Sequence, residues 1–198
     1  VNAKGSSSAT GVSPSVAMIL GKPEANLFGG IHLGYSPPRI SQAITPAGAD
    51  AGLDAERSVN YETGARVRPS RWSRMEATGF LTNFDNQLIS NNTLSGSTAE
   101  FKNGGRTRHI GLETTLGMAL GKALHTDTVV DLSAYYTLSR SIFVGGFYDG
   151  NVVPYAPYHT FSATLDGEHP TGFGGQASFT YVASQFADEY NSEEPDIS

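Results

Sequence analysis

Cysteine is absent from the 198 residues, so no disulfide and no thiolate metal site can form. Long apolar runs are missing too: nothing approaches the roughly eighteen residues of a membrane-spanning helix. Hydrophobic residues make up only 38%, low for a conventional packed core. Basic residues number 13 against 19 acidic ones, for a net charge of −6. That balance argues against nucleic acid as a partner, since phosphate contact wants a basic face. No apolar h-region opens the chain: residues 1–10 are polar and Ser-rich, so no signal peptide is visible. If the protein is exported, its true beginning is expected to lie upstream. There is no Gly-x-Ser-x-Gly elbow. Gly117 to Lys122 has the wrong glycine spacing for a phosphate loop and no following Ser or Thr. The histidines (His32, His109, His125, His159, His169) include no pair at zinc-ligand spacing beside a carboxylate. No catalytic residue, resident metal or cofactor is therefore assigned, and the protein is not expected to be an enzyme.

What is present is alternation. From Arg57 to Arg68, Val59, Tyr61, Thr63, Ala65 and Val67 fall on one side, and Asn60, Glu62, Gly64 and Arg66 on the other. A period of two makes this a strand with an apolar and a polar face. Pro69-Ser70-Arg71 turns the chain, and Trp72 to Phe84 runs back. From Arg106 to Leu120, Ile110, Leu112, Thr114, Leu116 and Met118 alternate with His109, Gly111, Glu113 and Thr115. Further strands are expected over Gly11 to Leu20, Asn26 to Tyr35, Asp127 to Ser139, Pro157 to Asp166 and Phe173 to Phe186. That makes eight strands in four hairpins. The Trp72-to-Phe84 strand is ambiguous, because Phe80 and Phe84 share a parity with Glu76, Thr78 and Thr82; Met75, Ala77 and Leu81 are taken as its apolar face.

These strands exceed the usual five or six residues of globular sheets. A tilted strand crossing a bilayer needs about nine to eleven. Short turns alternate with long loops over Ser36 to Glu56, Asp85 to Gly105 and Ser141 to Ala156, and a last acidic loop covers Asp188 to Ser198. That pattern predicts an all-β fold: an antiparallel, up-and-down transmembrane barrel wall with its long loops outside. Only every second strand residue must then be apolar, which accommodates the low hydrophobic content. Tyr35, Tyr61, Phe84, Tyr136, Tyr158 and Phe186 are expected near the outer strand ends, and Trp72 and Phe173 near the inner ends, as interfacial rings.

Five stretches, in order, resemble the strands of TonB-dependent outer-membrane receptors: Leu27 to Pro38, Ser58 to Arg66, Ala77 to Leu88, Asn103 to Glu113 and Val153 to His159. The siderophore and ferric-citrate branch looks most similar. The resemblance covers nearly the whole chain. It implies a twenty-two-stranded barrel with an N-terminal plug, importing ferric chelates with energy from the TonB complex, in a bacterial outer membrane. It also implies that residues 1–198 are part of the barrel alone, without the plug, the TonB box or the terminal aromatic strand. Partners expected from the resemblance are a ferric siderophore, the plug, the TonB complex through that plug, and outer-membrane lipid and lipopolysaccharide.

The polar strand positions Asn60, Glu62, Arg66, His109, Glu113, Asp131 and Tyr135 are expected to face the lumen. They either contact the plug or ligand or balance charge across the wall. Among loop residues, Arg39, Gln42, Arg106 and Arg108 are candidates to attract an anionic chelate, since a guanidinium forks onto carboxylates. The same residues suit surface solubility or lipopolysaccharide contact. Phe143, Phe147, Tyr148 and Tyr155 are candidates to stack on an aryl ligand or to pack the loop locally. Asp188, Glu189, Glu193, Glu194 and Asp196 suit calcium or a solvated loop. Two other architectures fit the alternation less well: a small complete eight-stranded barrel, and a soluble β-sandwich.

Overall fold

The computed structural model describes residues 11–38, 52–90, 101–103 and 105–192. The strands are β1 (Ser15–Lys22), β2 (Ala25–Ser36), β3 (Glu56–Ser70), β4 (Ser73–Asp85), β5 (Leu88–Ser90), β6 (Phe101–Asn103), β7 (Thr107–Ala119), β8 (Val129–Phe143), β9 (His159–Glu168) and β10 (Gly174–Val182). Eight of them form one antiparallel meander in the order β1-β2-β3-β4-β7-β8-β9-β10. The expected all-β wall of eight strands is therefore observed. β5 and β6 pair separately within the long connection between β4 and β7, where the sequence predicts only loop.

Register turns the alternation into two faces. Residues opposite one another in an antiparallel ladder share a face. Ile31 pairs with Tyr61, Tyr61 with Leu81, Leu81 with Ile110, and Ile110 with Arg140. Leu112 pairs with Leu138, Tyr136 with Phe161, and Phe161 with Tyr181. The apolar parities of all eight strands thus meet on one side. The ambiguous β4 joins them through Met75, Ala77 and Leu81, as expected. Its Phe80 and Phe84 turn to the opposite side.

The hydrogen-bonding direction also climbs. One row runs Ile19, Phe28, Gly64, Thr78, Glu113, Thr137, Thr160, Val182. It begins near the short-turn end of β1 and finishes on the last residue of β10, at the long-loop end. Such stagger is the geometry of strands tilted in a barrel wall.

β1 and β10 each have one strand partner, so the sheet is open. A complete eight-stranded barrel would pair them. Among the described residues no second sheet packs across either face of this wall, which rules out the sandwich. Leu27 and Phe179 stand 62% and 60% exposed, and the only buried hydrophobic residues described are Phe143, Val152 and Val153.

Several boundaries differ from expectation, each for a local reason. β1 starts at Ser15, although the Leu33 N–H still bonds the Pro14 carbonyl at 2.9 Å. β3 continues to Ser70 through a register shift after Val67, which accommodates Pro69 without a ladder donor. The turn after β7 opens with a single-turn helix, α1 (Leu120–Ala123). β8 runs past Ser139 to Phe143, so Phe143 is a strand residue rather than a loop residue. β10 stops at Val182 rather than Phe186. There the chain leaves the sheet, and the Phe186 carbonyl accepts from the Tyr155 N–H at 2.9 Å. Of the expected interfacial rings, Tyr35, Tyr61 and Tyr136 do lie on the outer face, while Phe84 points to the inner one.

Candidate functional site: the inner wall and the loop rim

The polar parity builds an inner face with its own bonding. Arg66 and Glu76 are direct cross-strand partners, and the guanidinium donates to both carboxylate oxygens at 2.6 and 3.3 Å. The same guanidinium lies 4.2 Å above the Phe28 ring centroid, a cation–π contact. Thr82 Oγ1 donates to Asn60 Oδ1 at 2.6 Å, and Asn60 Nδ2 donates to Glu62 Oε1. Glu113 borders the same recess of about 390 Å³, between Phe28 and Phe80. Two glycines make room for those rings. Phe28 is opposite Gly64 and Phe80 is opposite Gly111. A Cβ at either glycine would collide with the ring and with a neighbouring backbone carbonyl. Aromatic cover of a strand glycine restores apolar contact where the backbone is bare.

Toward the loop rim His109 sits beneath Phe84, ring edge to ring face at 5.2 Å, and its Nε2 lies 3.2 Å from Gln87 Oε1. Thr107, fully buried, bonds the same Gln87 oxygen. Asp131 faces inward opposite Asp166, whose carboxylate accepts from Gln176 Nε2 at 2.7 Å. Tyr135 is inward and exposed. All seven expected lumen positions thus lie on one face. The structure adds partners that sequence reasoning missed: Phe28, Glu76, Thr82, Gln87, Asp166 and Gln176. Glu76 and Thr82 carried a signal, their shared parity with the other polar residues of β4.

The long-loop rim holds the packed cluster of the molecule. Phe143 is 1% exposed against Tyr148 and Val153. Tyr148 meets Phe147 and Tyr190 edge to face, with centroids 5.2 and 5.3 Å apart. Bonding to Tyr190 and burial push the Tyr148 hydroxyl up to about 12. Asn191, in the left-handed region at φ 56, clamps Val152 by accepting from its N–H at 2.7 Å and donating to its carbonyl at 2.9 Å. Asp188 accepts from the Tyr190 and Ser192 N–H groups and the Ser192 hydroxyl. The Ser192 bonds, first that of its hydroxyl, hold the Asp188 carboxyl below the usual carboxylate range. The segment expected to be a solvated acidic loop is thus, over residues 188–192, docked on the β8–β9 connection. Tyr190 carried no sequence signal, since it lies far along the chain from Tyr148. Among the described residues no group of three or more His, Asp and Glu converges as a metal site.

Phe147 is 85% exposed at this rim, beside Tyr148, and Arg106 is exposed next to Gly145. Arg39 and Gln42 lie outside the described residues. Arg108 corrects an expectation. It is not a loop residue: it stands in β7 on the outer face, pairing with Asn83 and Ile142, and its Nε donates to Asn83 Oδ1 at 3.0 Å.

The outward strand positions carry Lys22 at the short-turn rim and Arg57, Asp85, Arg108 and Arg140 at the other; between them no charged side chain occurs. Val59 to Val67 covers roughly 27 Å along β3 at the usual rise per residue, or about 20 Å across a bilayer at a typical strand tilt. An uncharged exterior, a bonded polar interior and long connections on one rim define a transmembrane barrel wall. The chain belongs to the TonB-dependent receptor-like β-barrel family, whose model matches residues 1–196. Members are bacterial outer-membrane transport receptors rather than enzymes. Among solved structures, the ferric yersiniabactin uptake receptor FyuA of Yersinia pestis matches with a TM-score of 0.67 and 21% identity, over 92% of this chain and 27% of its own. The ferric citrate transporter FecA matches at 0.65 and 25%, over 90% and 26%. The copper transporter OprC matches at 0.65 and 16%, over 87% and 26%. The chain therefore spans about a quarter of the length of the receptors it matches.

Proposed function

We propose that this chain is part of the barrel wall of an outer-membrane receptor that imports a ferric chelate with TonB-coupled energy. The observation that carries the reading is the charge-free outer belt backed by a bonded polar inner face. A soluble protein has no use for Leu27, Ile110 and Phe179 on an open exterior. In this reading β1 and β10 pair with further strands of a larger barrel, since a bare edge in lipid leaves backbone groups unsatisfied. The plug lies outside this chain and rests on Asn60, Glu62, Arg66, His109, Glu113, Asp131 and Tyr135. Carboxylates outnumber cations on that list, which suits a plug surface bearing donors. Arg106, Phe147 and Tyr148 meet the arriving chelate at the loop rim, and Arg39 and Gln42 are further candidates to bind it. The iron is cargo and arrives already chelated.

The test is uptake. Cells expressing the intact receptor are starved of iron and given radiolabelled ferric citrate and ferric catecholate, hydroxamate and phenolate chelates. Saturable uptake of at least one, abolished without TonB, is expected. No TonB-dependent uptake of any chelate would overturn the reading. Labelled copper complexes in the same assay check whether the cargo metal is iron.

A further inference from the structure

We infer that the short-turn rim carries a second binding site for cargo, a basic recess formed by Arg68, Arg71, Arg74 and Lys122 that takes a carboxylate-bearing ferric chelate. The inference deepens the proposed function and rests on its placement of the wall. With the long loops outside, this rim is the periplasmic mouth, the last surface that cargo passes.

The recess measures about 750 Å³ and lies between the β3–β4 turn and the turn that follows β7. Small-ligand sites run from about 300 to 1,000 Å³. Its walls are held by backbone bonds between connections. The Ala119 N–H donates to the Trp72 carbonyl at 2.7 Å, which ties the β3–β4 turn to the start of α1. The Arg68 N–H donates to the Glu24 carbonyl at 2.7 Å, which ties β3 to the β1–β2 turn. The Thr126 N–H and hydroxyl both donate to the Gly121 carbonyl, at 3.0 and 3.4 Å, and close the turn after β7. Arg74 has the inward parity of Glu76 and stands opposite Gly117. Its side chain lies across that buried glycine, where a Cβ would meet the Arg74 Nε at 2.5 Å. One guanidinium is thus set over the lumen face before any ligand arrives.

Charge selects the ligand. The four cations are exposed, and two carboxylates, Asp127 and Asp131, share the lining. Among the described residues none of these four forms an ion pair; the only one runs between Arg66 and Glu76. At mid-wall the balance is reversed: Glu62, Glu76 and Glu113 surround Arg66 alone. An anion following the inner face therefore meets its complement at the short-turn rim. Like charges gathered around one hollow repel one another until an anion joins them. Three of the four are arginines, whose planar fork matches the two oxygens of a carboxylate. A chelate bearing several carboxylates engages more than one fork, whereas an uncharged chelate engages none. Because the cations are exposed, each contact is weak and screened by salt. Such a site receives cargo and lets it go.

The intact receptor is purified in mild detergent with Leu124→Cys as its single cysteine, carrying a fluorinated tag. Residues 1–198 contain no other cysteine, and Leu124 is 71% exposed between the recess residues Lys122 and Thr126. The probe is ferric citrate, with gallium citrate as the diamagnetic control and an uncharged ferric hydroxamate chelate as the charge control. Paramagnetic broadening of the fluorine signal reads occupancy. Three variants are compared in this background: Arg68→Gln/Arg71→Gln/Arg74→Gln, Arg68→Lys/Arg71→Lys/Arg74→Lys, and Arg57→Gln/Arg108→Gln/Arg140→Gln. The last removes the same charge from the outer face. Heat-modifiable gel migration checks each barrel. Saturable broadening by ferric citrate is expected, at least about fivefold weaker in affinity on the recess Gln variant. The Lys variant should fall between, and the outer-face variant should match the parent. Broadening should also fade as salt rises from about 50 to 500 mM. Absence of saturable broadening overturns the inference, as does equal affinity of a folded recess Gln variant or equal broadening by the uncharged chelate. If the recess Gln variant does not fold, the salt series decides: broadening unchanged at high salt overturns it. TonB-dependent uptake is measured alongside. Uptake without binding at this rim refutes the recess alone, whereas a receptor that imports no chelate refutes the proposed function.

Discussion

Along the strands Leu27, Ile110 and Phe179 stand exposed on the outer face, while at the loop rim Phe143, Val152 and Val153 are buried beneath Tyr148 and Tyr190. The two regions use the same residue types under opposite conditions. The wall is cohesive through its ladders, with backbone hydrogen bonds on both sides of every interior strand. Its apolar side chains need no protein partner because lipid solvates them. The rim lies in water, so its apolar groups must cover one another and its backbone must be bonded by side chains such as Asn191. A protein read only for its core would find it at one edge of the molecule.

Mutations that move one region's rules into the other break this contrast most sharply. Phe143→Ala empties a buried site and is expected to cost about 3–5 kcal/mol locally. Hydrogen exchange should then rise across 144–158 and 183–192 and leave the β3–β4 ladder protected. Next is Leu112→Arg, which places a charge within the outer belt. It is expected to cost about 2–4 kcal/mol, read as a lower denaturant midpoint for the intact receptor in vesicles. The companion Thr137→Arg, one face over, is expected to shift that midpoint far less. Equal effects of these two would erase the distinction between faces. Asn191→Ala removes both bonds to Val152 and puts a less tolerant residue in the left-handed region. About 1–3 kcal/mol of rim stability should be lost, seen as faster proteolysis between residues 183 and 192. Acid sharpens the contrast further. Asp188 is held below its ordinary range, so its contribution is complete above that range and fades as pH falls through its lowered folded-state value. Protection of residues 188–192 should drop in acid while the wall is unchanged, and Asp188→Asn should abolish that pH dependence. The smallest effect belongs to Arg66→Ala. Its ion pair is largely solvated in the described chain, and the expected loss is about 0–1 kcal/mol.

The alternation of Val59 to Val67 and of Ile110 to Met118 was legible without coordinates, because a strand's side chains flip at every residue. The same parity put all seven lumen candidates on one face of the sheet. What parity cannot reveal is who stands opposite. Phe80 and Phe84 made β4 ambiguous because two rings shared a side with Glu76. They are accommodated by Gly111 and His109, residues of another strand that only register brings near. Arg108 stood among the loop candidates although the alternation from Arg106 already gives it the Ile110 side; the ladder adds Asn83 and Ile142 as its neighbours.

By itself the order of residues settled that this chain makes long two-sided strands with an uncharged stripe and long connections at alternate ends. Those properties follow from local stereochemistry and from where apolar atoms recur. Folding in three dimensions decided that β1 and β10 do not pair with each other, that Tyr190 reaches Tyr148, and that three arginines from separate strands share an outer rim. Such meetings depend on register and tilt, which are set by the whole ladder and by no single stretch of sequence.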